Sequence, residues 1–162
     1  MRTIICSFCA KSGVLCPACE AKLKSGEITK EDIEICKYLY SRFENVDAEY
    51  IGSFSTKNFL ILLMKGDVGS IVGKSGKGVQ EMKKKFGKKI KIINLDMDKN
   101  GIVSDLIYPA TLIGINLLFK EGKEVLRIRI KKDDLMKIPI DITSLNKILS
   151  NIFKKDVLIS FE

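Results

Sequence analysis

Four of the five cysteines fall near the start of the chain, as Cys6-Ser-Phe-Cys9 and Cys16-Pro-Ala-Cys19, and this pattern limits the fold of its segment more tightly than any other. Each C-x2-C places two thiolates on one side of a tight turn. Two such turns supply four sulfurs at the corners of a tetrahedron, the arrangement that suits Zn²⁺ in closed structural sites. Gly13 and Pro17 add turn chemistry beside the sulfurs. The gap between the pairs is short, so the spacing predicts a compact knuckle over residues 1–28 with little sheet of its own. Two disulfides would use the same cysteines, but nothing in the chain signals export, and a reducing compartment disfavours them. A redox pair needs a thioredoxin-like βαβ setting that is lacking here. An iron–sulfur cluster takes the same ligand type. The expected cofactor is one structural Zn²⁺ on Cys6, Cys9, Cys16 and Cys19, with no coordination position left for an activated water. Cys36 stands apart, in helical phase with Ile33, Tyr40 and Phe43, and reads as core.

The formal charge of +8 is unevenly placed. Residues 1–64 hold eight basic and eight acidic side chains, and residues 96–162 hold eleven and ten. Residues 65–95 carry nine lysines against Asp67 and Glu81 alone, a net of +7. A surplus concentrated in one stretch marks a polyanion footprint, although a solvated lysine-rich helix face gives the same count. The chain has no histidine. That removes the commonest general base and every Ser-His or Cys-His nucleophile pair, so no enzyme activity is expected. Cys6 and Cys9 arrive before a signal-peptide core could form, and Phe59–Met64 and Ala110–Phe119 are too short to span a bilayer. A soluble cytoplasmic protein without membrane contact is expected.

Thr29-Lys-Glu-Asp32 opens a helix that runs to about Phe43. Strands follow near Ala48–Phe54 and Asn58–Met64, joined by a polar turn. Gly66 and Asp67 open a short helix through Ile71, a glycine-flanked loop follows, and a second helix runs from Lys77 to Phe86, ended by Gly87. Ile90, Ile92 and Ile93 make a third strand. The order is α-β-β-α-α-β. A shift of 67 residues without a gap lays the second half on the first: Lys65 on Lys132, Asp67 on Asp134, Ile71 on Ile138, Phe86 on Phe153, Lys88 on Lys155 and Ile92 on Ile159. An internal duplication follows from this, led in the second copy by a helix over Gly101–Ile107 that Pro109 stops at Tyr108. Asp96-x-Asp98-x-Asn100-Gly101 starts like a calcium loop. Its twelfth position is Ile107 where a bidentate acid is required, so it reads as a turn.

The loop Gly73-Lys74-Ser75-Gly76 carries the chemistry. Its glycines free the backbone for close approach, the following helix points its amides to the same place, and Lys74 and Lys77 add charge. A nucleotide P-loop fails on spacing, since position 68 is Val68 and Gly69 is one residue too close. A bare G-x-x-G turn is frequent. With Ile71-Val72 before it, a helix after it and the α-β-β-α-α-β order around it, the loop matches the signature of a KH domain. Residues 30–162, and Val68-Gly-Ser-Ile-Val-Gly-Lys-Ser-Gly-Lys-Gly-Val79 above all, resemble the tandem KH region of the transcription factor NusA and the small NusA-like proteins of archaea.

The resemblance implies an α+β chain of two type II KH domains, over residues 29–95 and 96–162, behind the knuckle. It implies single-stranded RNA as partner, with single-stranded DNA open because a backbone clamp need not read the 2′-OH. The implied contact set is Ile71, Val72, Gly73, Lys74, Ser75, Gly76, Lys77 and Val79. The second copy has Ile140-Asp141-Ile142-Thr143 in place of the loop, so it should keep the fold and lose the clamp. The expected function is non-catalytic RNA binding, in transcription elongation or termination or in RNA metabolism. The alternative is an adaptor docking on RNA polymerase or the ribosome.

Overall fold

The computed structural model describes residues 1–162 and has a mixed α+β architecture, with seven α-helices and two three-stranded sheets. It divides into two compact units, Met1–Asp96 and Met97–Glu162.

In the first unit, α1 (Ser7–Ser12) and α2 (Pro17–Ser25) carry the cysteines and α3 (Lys30–Phe43) follows. β1 (Ala48–Ser55) runs antiparallel to β2 (Phe59–Gly66). β3 (Lys89–Asn94) lies parallel on the other side of β2, after α4 (Val68–Val72), a 3-10 turn (Lys74–Gly76) and α5 (Lys77–Phe86). α3 starts where it does because Thr29 and Asp32 cap each other. The Asp32 amide donates to Thr29 Oγ1 at 3.1 Å and the Thr29 amide to Asp32 Oδ2 at 2.9 Å. Asp32 is buried and its other oxygen accepts from Tyr50 Oη at 2.7 Å and Ser53 Oγ at 3.3 Å, so the cap also ties α3 to β1. Burial pushes the Tyr50 phenol strongly up, which keeps it a donor.

Alternation along β2 sends Leu60, Leu62 and Met64 to one face, where they share a core with Ile33, Cys36 and Leu39 of α3, Ile71 of α4 and Met82 of α5. The stripe expected on α3 is broader than read from the sequence. Ile35 and Tyr38 are buried as well, while Tyr40 and Phe43 are only partly covered. The reason is that α1 packs on α3, whose other side meets β1. Ile5, Cys9, Ala10 and Cys19 thus belong to the same core as the sheet, so the cysteine segment is continuous with residues 29–96.

The second unit holds α6 (Lys99–Ile107), β4 (Leu112–Lys120), β5 (Lys123–Ile130), a 3-10 helix (Lys132–Lys137), α7 (Ile142–Phe153) and β6 (Asp156–Phe161). β5 is central, antiparallel to β4 and parallel to β6. Asp134 is buried. It accepts from the Thr111 amide at 3.0 Å and pairs with Lys137 at 3.0 Å, which fastens the 3-10 helix to the start of β4.

The two sheets share a detail. Each first hairpin carries a one-residue bulge just before a glycine, at Ile51-Gly52 and at Ile113-Gly114. Registers anchored on those bulges correct the gapless shift. The pair Gly52–Leu63 matches Gly114–Arg129, so Leu63 corresponds to Arg129, one residue short of the constant shift. Asn94, opposite Met64, matches Phe161, opposite Ile130, where the constant shift does hold. The extra residue falls in the connection from the central to the third strand, since Met64 to Asn94 spans 30 positions and Ile130 to Phe161 spans 31.

Candidate functional site: a four-thiol cluster and a glycine-flanked loop

Both cysteine pairs sit at helix starts. Cys6 is the residue before α1 and Cys9 lies in its first turn, and Cys16 and Cys19 repeat this on α2, where Pro17 takes the first helical position. The geometry brings the four Sγ atoms within 4.8 Å of one another, with Cys6–Cys9 at 3.3 Å and Cys6–Cys16 at 3.9 Å. A tetrahedron with metal–sulfur bonds of about 2.3 Å has sulfur–sulfur edges of about 3.8 Å, so the cluster can hold a metal ion with small adjustments. Main-chain amides point at the sulfurs, from Cys16 to Cys9 Sγ at 3.0 Å and from Cys6 to Cys19 Sγ at 3.5 Å. The Cys19 amide, with further sulfur contacts, lowers the Cys16 thiol to about 7, and the Cys9 amide lowers Cys6. Burial pushes Cys9 up to about 12. A cation is what brings an interior thiol such as Cys9 to the thiolate form. Cys36 is fully buried away from the four, and desolvation raises its thiol to about 11, in keeping with a core role.

The loop is built by close packing of α4 on α5. Asp67 caps α4 through the Ser70 amide at 3.3 Å. Gly73 then turns with φ 77°, followed by Ser75 at φ 55° and Gly76 at φ 73°. Ser75 and Gly76 are left-handed while Gly73, at ψ 171°, adopts a positive-φ conformation open to glycine, and a non-glycine such as Ser75 at φ 55° stores strain that only a defined loop sustains. Gly76 N–H donates to Gly73 O at 3.2 Å, closing the turn. Lys74, Ser75 and Lys77 are exposed, Gly73, Gly76, Val72 and Val79 are half-buried, and Ile71 is fully buried. Of the eight loop residues expected from the sequence, seven reach the surface. Ile71 supports the loop from the core instead.

α5 starts at Lys77 with no side-chain cap and no acid in its first turn, and the Lys77 amide donates to Lys74 O within the loop. In the second unit the Asp141 carboxylate accepts from the Ser144 amide at 3.0 Å and so occupies the start of α7. That bond holds Asp141 below the usual carboxylate range. The start of α7 thus carries an acidic cap that the start of α5 lacks.

Sequence reading missed Gly78. A Cβ there would lie 2.0 Å from the Ile71 carbonyl oxygen and 3.0 Å from that of Val72, so this glycine lets α5 touch the end of α4. The available signal was a glycine inside a helical stretch, which costs helix stability and calls for a packing reason. The lysines after the loop divide by role. Lys88 Nζ is tied to Ser55 Oγ and to Thr56 O, bracing the β1–β2 turn. Lys89 and Lys91 lie over the Phe59 ring at 5.8 and 5.9 Å. Glu81, the acid of α5, pairs with Arg42 of α3 at 3.4 Å.

No family model matches the chain, and no curated protein does. Among solved structures, one titled "Crystal structure of APE1850" is similar at 25% identity, over 64% of this chain and 79% of that one, with a TM-score of 0.46. No helix is long and apolar enough to cross a membrane.

Proposed function

We propose that the first unit is a type II KH-like module that grips the sugar-phosphate backbone of single-stranded RNA at Gly73–Gly76, and that the four cysteines hold one structural Zn²⁺. The observation that carries the reading is the loop itself: a turn with positive φ at Gly73, Ser75 and Gly76, exposed at Lys74 and Ser75, beside the start of α5, which has no side-chain cap. It lies inside the stretch whose net charge is +7. Such a surface favours a chain of phosphates by amide donation and by field together. Lys74, Ser75 and Lys77 contact phosphate, Gly73 and Gly76 allow the approach, and Val72 and Val79 offer apolar contact to bases. The protein is read as non-catalytic, acting in RNA metabolism or transcription. The second unit favours a protein-facing role, as an adaptor docking on RNA polymerase or the ribosome. Its 3-10 helix exposes Leu135 and 92% of Met136, and its helix start is already neutralised by Asp141.

Titration of metal-loaded protein with a labelled single-stranded RNA tests the reading. Replacing Lys74 and Ser75 by Asp reverses the local charge at exposed positions, and Asp tolerates the left-handed geometry of position 75. Affinity should fall by about tenfold or more with the melting temperature unchanged, and wild-type binding should weaken steadily as salt rises. Equal affinity for the variant and the wild type would refute the clamp.

A further inference from the structure

The first unit has a second basic feature, about 350 Å³ in volume, formed where the end of α1 and the middle of α3 meet the end of α5. Lys11, Lys37 and Lys85 line it together with Tyr38. The lone acid at its wall, Glu34, pairs with Lys37 at 3.5 Å. Lys11 and Lys85 have no carboxylate partner. The carboxy end of α1 also opens here, but a helix end amounts to about half a charge, which a net of two positive charges outweighs.

Tyr38 is 9% exposed and its hydroxyl is the one buried side-chain polar atom without a hydrogen-bond partner. The ring lies edge-on to Phe86 at 5.7 Å, with the Arg42 guanidinium over its face at 5.6 Å. The hydroxyls of Ser12 and Ser41 already donate to main-chain carbonyls. Tyr38 is therefore the one hydroxyl in the pocket with its proton uncommitted.

We propose that this pocket takes a second phosphodiester of the same RNA strand, received by Lys11, Lys85 and the Tyr38 hydroxyl. The inference rests on the reading of the Gly73–Gly76 loop as an RNA clamp. Lys77, at the loop, and Lys84 are two helical turns apart and so share a face of α5, and Lys85 follows at the pocket rim. The rise from Lys77 to Lys85 is about 12 Å, so the strand must be longer than the roughly four nucleotides that such a loop grips. The cysteine segment, through Lys11, thus becomes part of the RNA path.

The test compares labelled oligouridylates of about four and about twelve nucleotides on the metal-loaded full chain. Wild type should bind the longer strand more tightly. The double variant Lys11→Glu and Lys85→Glu, both changes at exposed positions, should lower affinity for the longer strand by about tenfold and leave the shorter one within about twofold. Tyr38→Phe should weaken only the longer strand, by a few-fold, while the melting temperature holds or rises because a buried unpaired hydroxyl is gone. Equal loss on both lengths would mean a diffuse field, and no loss on the longer strand would mean an idle crevice; either overturns the proposal. If the shorter strand still depends on Lys74 and Ser75, the clamp reading survives that failure. If neither strand binds, both fall together.

Discussion

Adding one methyl group at Gly78 separates two opposed effects. In a free helix, Gly to Ala stabilises by about 1 kcal/mol because it restricts the unfolded chain and favours helical backbone. Here the added Cβ would stand 2.0 Å from Ile71 O and 3.2 Å from Ile71 C, both main-chain atoms that cannot rotate away. Relief requires α4 and α5 to part by more than an ångström, and overpacking of that kind costs about 1–3 kcal/mol or more. Those helices carry Ile71 and Met82, both fully buried, so separation also loosens the core. The expected net for Gly78→Ala is a loss of about 2 kcal/mol, or a fall of about 8–16 °C in melting temperature for a unit of this size. RNA affinity should fall with it, because the loop hangs between the parted helices. The control is Gly87→Ala at the end of the same helix, with open space around it but φ 75°, which should cost only about 1 kcal/mol through backbone strain. Urea and thermal melts of the two variants decide the matter. A higher melting temperature for Gly78→Ala would refute the close-packing argument.

Thr29→Ala removes one half of the reciprocal cap and should cost about 1 kcal/mol, read as a lower urea midpoint. Elemental analysis should find about one zinc per chain. Its removal by a chelator should lower the stability of the first unit by several kcal/mol, because Cys9 and Cys19 sit in the shared core; unchanged melting after complete metal loss would count against the assignment. The Asp134 carboxyl is held below its ordinary value of 3.8 by Lys137 and by the Thr111 amide. A depressed folded value means that its stabilisation is fully present above about pH 4, where the unfolded group is ionised, and is lost as pH falls through the lower folded value. Asp134→Asn should therefore flatten the acid limb of a stability–pH curve measured from pH 5 downward, and an unaltered limb would contradict the buried pairing.

The parts of the fold legible in the sequence are those fixed by local chemistry. The start of α3 follows from Thr29 and Asp32, and the end of α5 from Gly87, whose left-handed φ a glycine adopts freely. The four-thiol cluster was legible because ligand spacing is itself local. What escaped was set by contacts distant in sequence. Ile35 and Tyr38 are buried on a side of α3 that periodicity assigned to solvent, where α1 packs and Phe86 of α5 meets the Tyr38 ring. The helix pair expected in the second copy has a 3-10 helix, Lys132–Lys137, as its first member, and it ends where Pro139 holds Ile138 extended at ψ 122°. The shift in register at Leu63 and Arg129 arises in connections that an ungapped match of residues cannot reveal.

In the proposed complex, polynucleotide lies against the main chain of the Gly73–Gly76 turn. Amide chemical shifts of isotopically labelled, metal-loaded protein, followed as a short single-stranded RNA is added, test it most directly. The largest, saturable changes should fall at Gly73 through Gly78, with the Asp141–Ser144 start of α7 unmoved. Changes confined to the second unit, or none at the turn while RNA is demonstrably bound, would contradict it.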